Sequence, residues 1–208
     1  GLPEFANALV DAGFSIINIS NNHVFEHGED IFHETVEFLR NAGLKICGLR
    51  SQGTKFYSEP VIIESDGVRC GLIAYNWIGV NAHPGADRFI SQSYDSIVNY
   101  SWDRDIKKIT TIESANRMVI SDIRALRYNV DLLIVLPHWG YESVTTPPYG
   151  VILEAHSFID AGADLIIGCH PHVLQGMEKY RNGLVFYSLG NFVFDMRAQI
   201  PRYSAILD

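Results

Sequence analysis

The residues in this chain best suited to chemistry are its eight histidines, at positions 23, 27, 33, 83, 138, 156, 170 and 172. Imidazole either binds a divalent metal through a ring nitrogen or moves a proton near neutral pH. Four of the eight share one setting. His23, His138, His170 and His172 each lie just beyond a short apolar run that reads as a buried strand: Phe14-Ser-Ile-Ile-Asn-Ile-Ser20, Leu132-Leu-Ile-Val-Leu136 and Asp164-Leu-Ile-Ile-Gly168. A lone histidine at a strand end is ordinarily a hydrogen-bonded structural residue, so the weight lies in the coincidence of three such ends. Side chains at i and i+2 on extended backbone point the same way, so His170 and His172, with Pro171 between them, are expected to face one metal cluster. His23 and His27 have the i,i+4 spacing of a helical zinc pair. Gly28 and the preceding Asn21-Asn22 argue against a regular helix there, and His27 is set aside. His33 and His156 fall inside helical periods, and His83 in an irregular stretch.

Loops 115 and 32 residues apart reach one place if parallel strands end along a shared edge, the edge where open α/β sheets bind ligands. The chain has the necessary period. A helix is expected over Pro3 to Ala12, stopped by Gly13, and another over Glu29 to Ala42, stopped by Gly43. The second lies between the strand at Phe14–Ser20 and one at Leu44–Gly48, which predicts a parallel pair with a crossover. Val61–Ser65 and Val68–Tyr75 flank Asp66-Gly67, a type I′ hairpin signal. From Asn76 to about Thr111 the period breaks down into a surface excursion. Its aromatic residues Trp77, Tyr94, Tyr100 and Trp102 either wall a substrate groove or pin the loop to the core. Helices follow at Ile112–Tyr128 and Val151–Ala161, the latter capped by Gly162. A second hairpin is expected over Gln175–Tyr180 and Leu184–Tyr187, turning at Asn182-Gly183. With no repeat, low-complexity tract or linker, residues 1–208 read as one domain.

Composition narrows the function. Forty-seven per cent hydrophobic residues can fill a core, and 19% charged residues are too few for a disordered chain. No run of 18 apolar residues exists, so no membrane span is expected within the chain. Sixteen basic against 24 acidic residues give a net charge of −8, which repels phosphate backbones and excludes general nucleic-acid binding. Cys47, Cys70 and Cys169 make neither a disulfide framework nor a CxxC motif, so the redox compartment stays open. Neither G-x-G-x-x-G nor GK[ST] occurs, and there is no G-x-S-x-G elbow for a serine hydrolase. The opening Gly1-Leu2-Pro3, without an initiator Met, suggests residues upstream.

The motifs around these histidines are familiar. Ser20-Asn-Asn-His23 with Glu26-His-Gly28 resembles the "ANNH…D-x-G" segment of the CapA family of bacterial capsule and poly-γ-glutamate synthesis proteins. His138-Trp-Gly140 with Glu142 resembles its "HWG-x-E" segment. Ile159–Gly168 followed by His170-Pro-His-Val-Leu-Gln-Gly176 resembles "GADLVIGHHPHVLQG", and Phe186–Asp195 resembles "FYSLGNFVFD". The four blocks run through nearly the whole chain in the family's order.

That family is similar in turn to the calcineurin-like metallophosphoesterases. The resemblance implies an α/β fold, a β-sandwich flanked by helices in the order α/β/β/α, here without its N-terminal strands. It implies Asn22, His138, His170 and His172 as ligands of two divalent metals, Mn, Zn or Fe, and His23 as leaving-group acid or transition-state stabiliser. Such ions can activate a water and clamp the attacking and leaving oxygens of phosphoryl transfer. Glu142 is expected to orient an imidazole or bind substrate, and Asn191 to reach the cluster or serve its own turn; Asp195 reads as a surface carboxylate and Cys169 as packing. The superfamily's acidic ligands precede the Asn-His pair, whereas the only acids before Asn22 are Glu4 and Asp11, in the opening helix. A bridging carboxylate is therefore expected to be missing and metal occupancy partial. The functional expectation is a metal-dependent hydrolase serving capsule or poly-γ-glutamate synthesis. The alternative is a non-catalytic assembly or polymer-binding component. Partners would be an anionic polymer or phosphoester and other capsule-synthesis components. Location would be the cell envelope if an upstream anchor or signal exists, and the cytoplasm otherwise.

Overall fold

The computed structural model describes residues 3–51, 53, 55–78, 116–192, 194 and 203–207. After helix α1 (Glu4–Asp11), strand β1 (Ile16–Asn18) pairs in parallel with β2 (Lys45–Cys47) through the crossover helix α2 (Gly28–Asn41). These two strands form a sheet of their own. The remaining strands are β3 (Val61–Ser65), β4 (Val68–Asn76), β5 (Leu132–His138), β6 (Leu165–Ile167), β7 (Met177–Tyr180) and β8 (Gly183–Phe186). They make a six-stranded sheet in the order β3-β4-β5-β6-β8-β7. Its four inner strands are mutually parallel, and β3 and β7 close the edges antiparallel. Helices α3 (Arg117–Arg127) and α4 (Tyr149–Ala161) complete the described elements.

Period-2 alternation sorts the inner strands into two faces. Ile73 and Tyr75, Leu133 and Val135, Ile166 and Val185 are buried against Val119, Ile123 and Leu126 of α3 and Ala155 and Phe158 of α4. The opposite face offers Leu72, Ala74 and Leu136 to Ile16 and Cys47 of the small sheet. The far side of the small sheet, Ile17 and Ile46, packs on Phe32, Val36 and Leu39 of α2 and on Ala6 of α1. The result is the helix–sheet–sheet–helix order expected, a mixed α/β fold.

Several boundaries differ from the sequence reading. The first strand is three residues long, because Ser20 turns back onto the Asn18 side chain (Ser20 N to Asn18 Oδ1, 2.9 Å). Helix α2 starts at Gly28, with His27 in the preceding position. Strand β5 runs through Pro137 and ends on His138, because the ladder continues as Asn76↔His138 and His138↔Cys169. The first hairpin turns as expected, Asp66 and Gly67 both lying at positive φ (51° and 78°). The second does not turn at Asn182-Gly183. Tyr180 pairs with Gly183, which leaves Arg181 and Asn182 as the loop. Gly183 is required for another reason: a Cβ there would come within 2.4 Å of Ile159 Cδ1. Trp77 is buried between Tyr75, Trp139 and Phe158 on the helix side of the sheet, so it is a core residue and no groove wall. His83, Tyr94, Tyr100, Trp102, Asp195 and the first residues of the helix expected from Ile112 lie outside the described residues.

Candidate functional site

The inner strands of the large sheet end along one edge, and the chemistry collects there. His138 is the last residue of β5. The isolated bridge from His138 to Cys169 then sets His170 beside it, with ring centroids 4.8 Å apart. His172 follows, 6.0 Å from His170, its Nδ1 hydrogen-bonded to Asn191 Oδ1 at 2.7 Å. Asn22 and His23 arrive from the other sheet. A tight turn after β1, with His23 N donating to Asn21 Oδ1 at 2.9 Å, brings the buried Asn22 across until its Oδ1 lies 2.8 Å from His138 Nε2. Gly48 makes room for this turn, since a Cβ there would lie 2.6 Å from Ser20 Cβ.

Glu142 belongs to the same group. Its carboxylate and the ring nitrogens of His170 and His172 offer ligand atoms that all lie within 4.8 Å of one another. The group therefore contains a carboxylate, beside the two imidazoles. Gly140 (φ 82°) and Ser143 (φ 62°) bracket Glu142, and Ser143 N donates to Pro171 O at 2.8 Å, which ties its loop to the His-Pro-His segment. The extended backbone expected for that segment is absent. His170 and His172 both have positive φ (99° and 59°), a conformation costly for side chains with a Cβ and concentrated at functional sites.

Burial lowers the basicity of the inner imidazoles. His138 is pushed down to about 3, chiefly by desolvation and then by repulsion from His170, His172 and His23. His170 falls to about 4, again chiefly by desolvation, with Glu142 opposing. Burial pushes the Cys169 thiol up to about 12, so its sulfur stays a neutral partner, 3.2 Å from His138 Nδ1. Neutral imidazoles, an amide oxygen and one carboxylate form a donor set suited to a borderline divalent ion. His170 Nδ1 is buried without a hydrogen-bond partner, an arrangement that costs about 1–3 kcal/mol unless something binds the group. The residues therefore fit a metal.

The structure brings together all the expected site residues: Asn22, His23, His138, His170, His172, Glu142 and Asn191. Two more were not singled out. Glu26 Oε1 lies 2.5 Å from His23 Nδ1, one helical turn on, where the "D-x-G" position of the motif was the signal. Asn76 is buried in register with His138, on the same sheet face. Its Oδ1 accepts from Ile78 N at 3.1 Å, which leaves its Nδ2 without a partner.

Residues 1–196 match the family described as bacterial capsule synthesis protein PGA_cap. The chain is 31% identical over 204 residues to the capsule biosynthesis protein CapA of Bacillus anthracis, covering 98% of this chain and 46% of that protein. It is 27% identical over 206 residues to the PGA biosynthesis protein CapA of Bacillus subtilis (strain 168), covering 98% and 49%. The chain thus spans about half the length of the curated relatives it matches. The fold is shared with the crystal structure of a Staphylococcus aureus protein assigned as a 5′-nucleotidase, in complex with alpha-ketoglutarate (TM-score 0.55, 16% identity, 90% of this chain and 34% of that one). At that identity the likeness speaks for the fold alone. The family match covers the strand-end histidines, the Glu142 loop and both sheets, and on it this chain belongs to the PGA_cap family of bacterial capsule synthesis proteins.

Proposed function

We propose that the chain carries the metal-dependent hydrolase centre of a protein acting in capsule or poly-γ-glutamate synthesis, with phosphoester cleavage as its reaction type. The observation that carries this reading is the convergence of Glu142, His170 and His172 within 4.8 Å, beside the Asn22–His138 pair and with His23 alongside Asn22. Glu142, His170 and His172 would hold one divalent ion, Mn, Zn or Fe, and Asn22 with His138 would help hold a second. When bound, such ions supply Lewis acidity at a phosphoryl oxygen and make a water more acidic.

The remaining chemistry falls to the chain. His23 Nδ1 faces Glu26 and its Nε2 faces Asn22 Nδ2 at 3.3 Å, so Glu26 holds the ring with Nε2 turned toward the cluster. With a second proton on Nε2, in place of the contact it accepts from Asn22 Nδ2, His23 would deliver that proton to a leaving oxygen without taking a coordination position. Asn191 fixes the His172 ring through Nδ1. Capsule-synthesis components and an anionic polymer are the partners this reading implies. Among the described residues no helix is long and apolar enough to cross a membrane.

A second reading, a polymer-binding component without turnover, has one observation in its favour. Asn22 Oδ1 and His138 Nε2 are hydrogen-bonded to each other, so two of the five candidate ligands are closed to a metal. Elemental analysis alongside hydrolysis of an aryl phosphate separates the two. His23→Ala is expected to lower turnover by ~10²–10⁴-fold with metal content unchanged, whereas His170→Ala and Glu142→Gln lose metal and turnover together. If the metal-loaded protein hydrolyses neither phosphoester nor amide, the binding reading replaces the hydrolase.

A further inference from the structure

We propose that Asn76 is a further residue of the candidate site, its side-chain amide nitrogen donating a hydrogen bond to an oxygen of a phosphoryl group docked beside His138. The choice of a phosphoryl group rests on the phosphoester reading above; the position of the residue and its free donor do not.

Position follows from the ladder. Asn76 is the last residue of β4 and His138 the last of β5, and the two are paired in register. Side chains alternate between the faces of a strand. Leu72 and Ala74 on β4 and Leu136 on β5 pack toward the small sheet. Asn76 and His138, each two residues beyond the last of these, therefore share that face. It is the face across which Asn22 reaches His138. Neighbouring strands lie about 4.8 Å apart, so the row of strand ends that carries His170 and His138 continues directly to Asn76. The residue is 1% exposed there.

Hydrogen-bond chemistry assigns the role by elimination. Asn76 Oδ1 accepts from Ile78 N at 3.1 Å, a turn closed by the side chain. A backbone N–H only donates, so the atom facing it must be the oxygen, and the nitrogen is turned the other way. With Oδ1 engaged, and no lone pair on an amide nitrogen for a cation, Asn76 is not a ligand in the manner expected of Asn22. Its Nδ2 is buried with its protons unpartnered. His138 supplies no acceptor, because Nε2 lies against Asn22 Oδ1 and Nδ1 against the Cys169 sulfur. Buried donors in folded proteins are satisfied by protein, water or ligand, and an anionic oxygen makes the strongest acceptor. An amide fixed by a turn is a preorganised donor of the kind that stabilises charge on a reacting oxyanion. Being neutral, it adds no repulsion to divalent cations held by the neighbouring residues.

The test is a calorimetric titration of the zinc-loaded protein with inorganic phosphate, alongside the side-chain amide signals of 15N-labelled protein. In the wild type, the amide pair identified by its absence from Asn76→Asp is expected to shift as phosphate binds. Asn76→Asp keeps an oxygen for Ile78 N and puts an acceptor where the donor stood. It is expected to weaken phosphate binding roughly 10–100-fold with zinc content retained. Asn76→Ser also keeps an oxygen able to close the turn, is too short to replace Nδ2, and covers the case in which a buried carboxylate prevents folding. It is expected to lose phosphate affinity in the same direction. A residue that merely closes the turn leaves phosphate affinity unchanged in both variants. The proposal is overturned if a folded variant binds phosphate as tightly as the wild type, if the Asn76 amide signal does not move at saturation, or if the zinc-loaded wild type binds no phosphate. Loss of zinc from the variants overturns it as well, since Asn76 would then act through the metal. A wild type that binds phosphate through Asn76 but hydrolyses no phosphoester removes the hydrolase reading and leaves this one standing. An active wild type whose variants bind phosphate normally does the reverse.

Discussion

His138 sits at the centre of the candidate site in a hydrogen bond that a bound metal would have to replace. Its Nε2 and Asn22 Oδ1, both candidate ligand atoms, lie 2.8 Å apart as a hydrogen-bonded pair. The imidazole is neutral, so Nε2 carries the proton in this arrangement and Nδ1 faces the Cys169 sulfur as an acceptor. Coordination through Nε2 requires the other tautomer, with Nδ1–H turned to Cys169. Glu142, His170 and His172 face no such exchange among themselves, which makes theirs the set to fill first. The loop that presents His170 depends on Gly168. A Cβ there would meet Tyr187 O at 2.2 Å and Trp139 Nε1 at 2.3 Å, neither of them a flexible side-chain end. Gly168→Ala is expected to destabilise the protein by about 1–3 kcal/mol and to loosen metal binding, as read by urea denaturation and metal titration. Unchanged stability would mean that Tyr187 and Trp139 can move apart. The types and order of the site residues were legible in the sequence, because the strand-end histidines and their motifs are local. The left-handed backbone at His170 and His172 was not, since nothing in His-Pro-His signals positive φ. Glu142 reaches His170 and His172 only because Gly140 and Ser143 bend its loop, and four positions from His138 that outcome has no periodicity to reveal it.

At the scale of elements, the same logic separates what periodicity reports from what it cannot. The crossover pair β1–α2–β2 and the Asp66-Gly67 hairpin follow from local pattern and were expected. The division into two sheets is long-range, because nothing within Ile16–Asn18 says whether its neighbour will be β2 alone or the larger sheet. Gly183 mattered for its close approach to α4, which a turn-seeking reading of Asn-Gly mistakes for backbone freedom. Helix α4 is also fastened to the far edge of the sheet by polar contacts. His156 Nε2 and the Tyr187 hydroxyl both lie 2.6 Å from Glu178 Oε1 on β7, and the His156 ring stacks on Tyr180. Burial pushes the Glu178 carboxyl up, but Tyr187 and His156 outweigh it and hold it below its ordinary value of 4.5. A carboxyl depressed in this way stabilises the fold above the unfolded-state value, and that contribution is lost as pH falls through the folded one. Urea midpoints measured over a pH series are therefore expected to decline below pH 4.5, and Glu178→Gln is expected to flatten that decline. Parallel curves for the two proteins would show that Glu178 has no share in it.

Across the whole molecule, two large apolar cores are joined by a small one. Helices α3 and α4 with the six-stranded sheet bury one core, and α1 and α2 with the small sheet bury another. Among the described residues, the apolar cluster between the sheets buries Cys47, Val61 and Ala74, supported by partly buried neighbours such as Ile16 and Leu136. Polar links across this seam include Lys45 Nζ to Ile62 O at 2.9 Å and the contact from Asn22 to His138. The site sits on the seam, so ligand binding is linked to how firmly the layers hold together. Metal at a hundred times its dissociation constant stabilises a fold by about 2.7 kcal/mol, and where that appears depends on which residues hold it. An ion held by Glu142, His170 and His172 touches the large-sheet side alone. An ion that also engages Asn22 and His138 clamps the small sheet to the large one. Hydrogen exchange distinguishes the two cases, because local opening of β1, β2 and α2 reports the strength of the seam. Adding Mn or Zn is expected to slow exchange in the large sheet first and in β1 and β2 at higher metal concentration. In Asn22→Ala the first effect should persist and the second should vanish. If β1 and β2 gain the same protection without the Asn22 side chain, the layers are coupled through the Cys47–Ala74 packing, and the amide has no part in bridging them.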